Sequence, residues 1–166
     1  MSNYIGSESD NFVMSNGLTD VFLNVLILSG TQLATTDDEK RLIVWLAERD
    51  QSKRGVGTVG FDLGEMPWNP RNFADSKAFM LNVIRFAEQK TGWDTLDYNP
   101  NKEMLFPLLE KFYDMISAFT VNEILPDSLE EWMGAAEEDD PKLCGFPKCE
   151  KHDALLCCFG CQICNN

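Results

Sequence analysis

The first 143 residues of this chain contain no cysteine, and all six cysteines follow them. In a cytosolic protein, cysteines clustered in one segment favour metal binding over disulfide bonds. Histidine is scarcer still, because His152 is the only one. If His152 binds a metal ion, no imidazole remains for acid–base catalysis, and sites built on Ser-His-Asp or Cys-His arrangements are excluded.

Basic residues are also few. The chain has 14 Lys and Arg against 27 Asp and Glu, which gives a net charge of −13. Nucleic acids and anionic membrane surfaces are disfavoured as partners, because both bind through Lys and Arg. The charge suits a basic protein partner, such as a basic toxin domain, and the alternative is a solvated acidic surface without a partner.

Long apolar runs are absent. The best candidate, residues 21–28, is interrupted by Asn24 and is far too short to span a bilayer. Residues 1–17 are polar and acidic with no basic stretch, so we do not expect them to form a signal peptide. We therefore expect a cytoplasmic protein, and a chain of 166 residues has the length of one domain.

The pattern of apolar and turn residues predicts a mainly α fold. We expect a compact helical domain with a short β element near residues 57–61 and a C-terminal zinc-binding hairpin, or knuckle. Residues 1–18 are predicted to form a mobile N-terminal arm, residues 19–140 the helical body, and residues 141–166 the zinc-binding tail.

Capping and stop signals place the helices of the body. Thr36 and Glu39 have capping-box spacing ahead of a helix over residues 37–49. Thr19 and Gly30 bound a shorter apolar segment that predicts a helix, with a strand as the alternative. Three further helices are predicted over residues 75–90, from Asn99 to about 119, and over residues 128–136.

The tail contains the strongest motif, which is Cys149-x2-His152-x8-Cys161-x2-Cys164. Two intervening residues let one chain turn direct two donor atoms at one ion. Gly160, just before Cys161, permits the left-handed backbone that such a turn often needs. The motif predicts a Cys3His site for Zn²⁺, tetrahedral and closed, which makes the zinc structural.

Three cysteines are left over, and they keep an alternative open. Cys158-x2-Cys161 has the same spacing as the preferred pair and would leave Cys164 free. Cys144 or Cys157 could also replace one of the proposed ligands. We prefer Cys161 with Cys164, because Gly160 then precedes the first ligand of the pair.

A second candidate site is the loop that contains Asp62, Glu65, Met66 and Trp68. Aromatic and flexible apolar anchors surrounded by charges are typical of contact surfaces, so these four residues are predicted to bind a partner. Trp68 could instead be a core residue that fixes the loop. Asp62 and Glu65 could also form a paired carboxylate site in a hydrolase.

Three stretches of the chain resemble a group of small acidic bacterial proteins, some of which are similar to immunity proteins encoded beside secreted polymorphic toxins. They are LIVWLAERDQSKRGVGTVGFDLGEMPW, the predicted helix that follows it with TGWDTLDYNP, and the terminal CEKH…GCQICNN. The resemblance extends over roughly residues 19–166 and implies a non-enzymatic inhibitor that binds a cognate toxin. A zinc-containing adaptor or regulatory protein and a carboxylate-dependent hydrolase are the alternatives.

Overall fold

A computed structural model describes residues 2–164, in which five α-helices accompany one three-stranded sheet. The predicted combination of helices and β structure is confirmed in outline, but helices dominate only moderately and the sheet is larger than the single element predicted. The helices are α1 (Asn16–Leu33), α2 (Asp37–Ala47), α3 (Phe73–Glu88), α4 (Lys102–Ala118) and α5 (Ser128–Gly134), and the strands are β1 (Ser2–Gly6), β2 (Asn11–Ser15) and β3 (Phe61–Asp62).

A β-hairpin stands where the sequence predicted a mobile arm over residues 1–18. Strands β1 and β2 pair antiparallel, and β1 pairs parallel with β3, so the order is β2-β1-β3. Ile5, Phe12 and Met14 are buried, whereas the cross-strand pair Tyr4 and Val13 is exposed. This period of two fits a sheet with one buried face, and it anchors the segment to the core.

Helix α1 is the central element, and it packs against α2, α3 and α4. It begins earlier than predicted, because the Ser15 side chain caps it by accepting the Leu18 N–H. Gly30 does not end it. A Cβ atom at Gly30 would lie 2.2 Å from the Ile43 side chain, so this glycine allows α1 and α2 to approach closely. The strand alternative for this segment is wrong.

The other predicted helices are present with shifted ends. The capping box of α2 forms as predicted, with Thr36 and Glu39 satisfying each other's backbone N–H groups. Helix α4 is capped by Asn101, two residues later than the predicted Asn99, because the Asn101 side chain accepts the Met104 N–H. Short local signals therefore identify these helices well but fix their ends less closely.

The predicted contact loop is largely a core element. Met66 is 0% exposed and Trp68 is 1% exposed, so neither side chain can meet a partner and both predictions are corrected. Trp68 packs against Phe73 and Phe119, and its Nε1–H donates to the Leu63 carbonyl at 2.8 Å. The alternative of a core residue that fixes the loop is confirmed.

The buried indole hydrogen bond gives a first prediction. Trp68→Phe keeps an aromatic ring but leaves the Leu63 carbonyl without its donor, and we expect a loss of about 1–3 kcal/mol of unfolding free energy. Urea denaturation measures this loss. Tyr4→Phe, at an exposed ring on the open face of the sheet, should change stability by less than about 0.5 kcal/mol. Equal stability of the two variants would contradict the assigned bond.

Candidate metal centre

Two short turns of the tail bring the four predicted ligands together. The donor atoms of Cys149, His152, Cys161 and Cys164 all lie within 4.8 Å of one another. One turn spans Cys149 and His152, and the other spans Cys161 and Cys164. Antiparallel bridges between Lys148 and Leu155 and between Cys157 and Gly160 hold the chain between them. This cluster can bind a metal ion.

The distances within the cluster match a four-coordinate ion. The His152 Nδ1 atom lies 3.8 Å from Cys149 Sγ, 3.7 Å from Cys161 Sγ and 3.2 Å from Cys164 Sγ. Cys149 Sγ and Cys164 Sγ are 3.6 Å apart. A tetrahedral ion with usual zinc bond lengths would separate two sulfurs by about 3.8 Å and a sulfur from a nitrogen by about 3.6 Å. The site therefore needs only small adjustments to coordinate an ion.

Backbone N–H groups support the first sulfur of each turn. Cys149 accepts hydrogen bonds from the N–H groups of His152 and Lys151. Burial raises the pKa of Cys149, but these bonds, together with hydrogen bonds to the side chains of His152 and Cys164, outweigh it and leave the pKa at about 6. In the second turn, the Cys164 N–H donates to Cys161 Sγ at 3.4 Å. Burial dominates at Cys161 and raises its pKa to about 12. Such N–H donors stabilise thiolates, the form that binds metals.

Gly160 has the left-handed backbone that the sequence predicted, with φ at +90°. Its N–H donates to the Cys157 carbonyl at 2.9 Å, which closes a tight turn with Cys158 at its tip. A side chain at this φ would be strained, so glycine is required for the chain to re-enter the cluster at Cys161.

The three remaining cysteines lie outside the four-residue cluster. Cys144 and Cys158 are exposed, and Cys157 is buried at 1% exposure as part of the hydrophobic core. Cys158 instead lies in a second group of possible donors with Glu48 and Asp140. The geometry therefore favours the preferred pair over the alternative Cys158-x2-Cys161.

The second group already contains a cation. The Lys142 ammonium lies 2.7 Å from Asp140 Oδ2 and 3.7 Å from Glu48 Oε2, and the Lys142 side chain is 3% exposed. Trp132 Nε1–H donates to Glu48 Oε1 at 2.9 Å, and the Lys142 ammonium lies over the Trp132 ring. Burial raises the pKa of Glu48. We interpret this group as a buried ion-pair cluster, because Lys142 supplies the charge that a metal would supply.

The tail is packed against the body. Phe146, Ala154, Leu155 and Ile163 belong to the same hydrophobic core as the helices. The Leu155 N–H donates to Thr31 Oγ1 of α1 at 3.2 Å. The metal cluster is therefore part of a segment that the core itself holds.

Polar contacts add to this packing. The Gln162 side chain is 1% exposed, and its Nε2 donates to Asp20 at 3.1 Å and to Asp50 at 3.0 Å. Gln162 stands between the two cysteines of the second ligand turn. The cluster is thereby tied to α1 and to the segment that follows α2 by hydrogen bonds as well as by apolar contacts.

Asp62 and Glu65 are exposed, as a contact or catalytic role requires, but their geometry is that of a turn. The Asp62 N–H donates to Glu65 Oε2 at 2.6 Å, so this carboxylate caps the short 3-10 turn that follows β3. In a cleft of about 590 Å³, the Asp38 carboxylate is likewise bonded, in this case by Asn69 and Asn72. These local roles do not favour a hydrolase.

Comparisons of the chain with protein-family models, curated proteins and solved structures find no match. Among residues 2–164, no helix has both the length and the apolar character needed to cross a membrane. The fold and the site define an α-rich protein with a C-terminal Cys3His cluster able to bind a metal.

Proposed function

We propose that this chain is a non-enzymatic, protein-binding inhibitor of the immunity type, which neutralises a cognate basic toxin domain and contains one structural zinc ion. The observation that carries the proposal is the position of the only histidine. His152 is 6% exposed and its Nδ1 faces three sulfur atoms. The one side chain best suited to catalysis at neutral pH is thereby committed to the tail.

The donor set supports zinc as the metal. Three thiolates and one imidazole at tetrahedral spacing are typical of structural zinc sites, and such soft ligands exclude magnesium and calcium. Three thiolates with Zn²⁺ leave a net charge of about −1. The neighbouring residues Lys148 and Lys151 offset part of that charge.

The closed geometry supports a structural role for the zinc. Four protein donors fill a tetrahedral ion and leave no position for water or substrate. The zinc would hold the turn around Cys149 against the turn around Cys161, and so fix the conformation in which the tail packs against the body. With a structural zinc ion, the inhibitor would act through its surface and not through the metal site.

The surface charge supports a basic protein as the partner. A net charge of −13 accelerates association with a basic protein and opposes binding to nucleic acid. If the toxin is a basic nuclease, an acidic inhibitor can also occupy the site that binds the phosphate backbone of the nucleic-acid substrate. The resemblance of roughly residues 19–166 to small acidic bacterial proteins, some of which are similar to immunity proteins, points in the same direction.

The proposal is tested by isolating the partner. The tagged, zinc-loaded chain, purified from its own cell, is expected to retain one basic protein in a stoichiometric complex, which mass spectrometry identifies. Expression of that protein alone should stop growth, and co-expression of this chain should restore it. A stable but non-toxic partner would favour the adaptor alternative, and the absence of any stoichiometric partner would contradict both.

A further inference from the structure

Leu125 is an exposed apolar side chain that lines two adjoining surface clefts. Its side chain is 49% exposed, and the neighbouring Val121 is 45% exposed. Each cleft has a volume of about 210 Å³, one on the side of Phe119 and Gly64 and the other on the side of Val121. We call these two residues with their clefts the Leu125 surface. Exposed apolar side chains beside concave surfaces are typical of protein contact sites.

The rim of the Leu125 surface is acidic. The clefts are lined by five carboxylates and by no lysine or arginine. In the part of the chain that the structure describes, none of the five takes part in an ion pair. These residues are Glu8, Asp62, Glu123, Asp127 and Glu130. The charges around the apolar centre therefore lack a cationic partner among the described residues.

The backbone of this surface is fixed by hydrogen bonds. The Leu125 N–H donates to the Gly64 carbonyl at 3.0 Å, and the Thr120 N–H donates to Glu123 Oε2 at 2.7 Å. A Cβ atom at Gly64 would lie 2.5 Å from the Glu123 carbonyl, so the two segments are in close contact. A surface that is ordered before binding loses little conformational entropy when a partner arrives.

We propose that the Leu125 surface binds a basic polypeptide segment of the partner, in which an apolar side chain lies between lysine or arginine residues. This inference rests on the proposed function for the nature of the partner. The apolar side chain would cover Leu125, and the flanking cations would meet the five carboxylates. A second copy of this chain is disfavoured as the occupant, because it would bring the same five negative charges against them.

The test uses the full-length, zinc-loaded protein and two synthetic probes. One is a short peptide of alternating leucine and lysine, and the other has glutamate in place of every lysine. In an ¹⁵N NMR titration at low salt, the basic peptide should perturb residues 120–130, Gly64 and Glu8 before any others. The acidic peptide should leave the spectrum unchanged.

Substitutions at two apolar positions test the centre of the surface. Leu125→Ser removes the exposed leucine, and we expect the Kd of the basic peptide to rise about tenfold or more. Met104→Ser is the matched control, because Met104 is 55% exposed on α4 outside both clefts. It should change the Kd by less than about twofold.

Two matched double variants test the rim. Asp127→Asn with Glu130→Gln removes two rim charges, and asparagine suits the positive φ of 64° at residue 127. Glu103→Gln with Asp114→Asn removes the same charge from α4. The first should weaken peptide binding several-fold at low salt, and the second much less, because close charges dominate over distant ones.

Three results would overturn the Leu125 surface: perturbations centred elsewhere, no binding of the basic peptide, or equal effects of the test and control variants. These failures are separate from failure of the proposed function. A toxin that binds another face would remove this surface and leave the inhibitor proposal standing. If the peptide binds at Leu125 but the chain has no toxic partner, the Leu125 surface is supported and the inhibitor proposal is contradicted.

Discussion

Cys161→Ser is expected to abolish stoichiometric metal binding and to destabilise the protein by about 4 kcal/mol or more, the contribution of a ligand present at a thousand times its Kd. Cys161 is 6% exposed, and its sulfur lies 3.7 Å from His152 Nδ1. A hydroxyl is a far poorer zinc ligand than a thiolate, and three remaining donors leave the site open. Without the ion, the two turns lose the bond that joins them.

The measurement combines metal content with stability. Elemental analysis of the purified protein should find about one zinc per chain, and the Cys161→Ser protein should contain almost none. A chelator should lower the midpoint of denaturation of the original protein towards that of the variant.

Cys144→Ser is the matched control, because Cys144 is an exposed cysteine outside the four-residue cluster. It should keep the zinc and lose less than about 0.5 kcal/mol. Full stability of a metal-free protein would contradict a structural ion in the tail. A different metal, bound at one per chain, would overturn the assignment of zinc but keep the site.

Lys142→Met is expected to cost about 3–5 kcal/mol, because it leaves two buried carboxylates without their cation. Asp140 is 6% exposed and Glu48 is 7% exposed, and the Lys142 ammonium is the cation that lies between them. Burial already raises the pKa of Glu48 with the lysine in place. Removing the ammonium therefore adds the cost of keeping those charges away from water, which urea denaturation at neutral pH measures.

The chain offers a control of the same chemistry at the surface. Lys111 pairs with Asp10 at 2.8 Å, but their side chains are 40% and 43% exposed. Lys111→Met should cost less than about 1 kcal/mol, because water screens an exposed pair. Adding Glu48→Gln and Asp140→Asn to Lys142→Met should recover part of the loss. Equal losses of unfolding free energy in the two lysine variants would show that the buried ion pairs stabilise the protein no more than the exposed pair does.

The metal cluster could be predicted from the sequence because its geometry is local. Two residues between ligands fix a turn, and Gly160 supplies the backbone that the second turn needs. The same holds for the capping box of α2, which depends only on Thr36 and Glu39. The choice between Cys164 and Cys158 as ligands needed the structure, because their spacings to Cys161 are equal.

Features that depend on contacts between distant parts of the chain could not be predicted from the sequence. The hairpin of residues 2–15 has the alternation of a strand pair, but its polar residues suggested an unpacked arm. Its stability comes from burying Ile5 and Phe12 and from pairing β1 with β3 over fifty residues away. The burial of Met66 and Trp68 also depends on distant contacts. Their sequence therefore resembled that of a contact surface, and only the packed fold shows that both side chains face inward.

The contacts between the tail and α1 have a consequence for the rate at which the chain folds. Leu155 and Thr31 are 124 positions apart, and Gln162 and Asp20 are 142 positions apart. Contacts at such separations close long loops, and proteins dominated by them fold slowly for their size. Helix α1 can form early from its own sequence. Its hydrogen bonds to Leu155 and Gln162 can form only after almost the whole chain between them has folded.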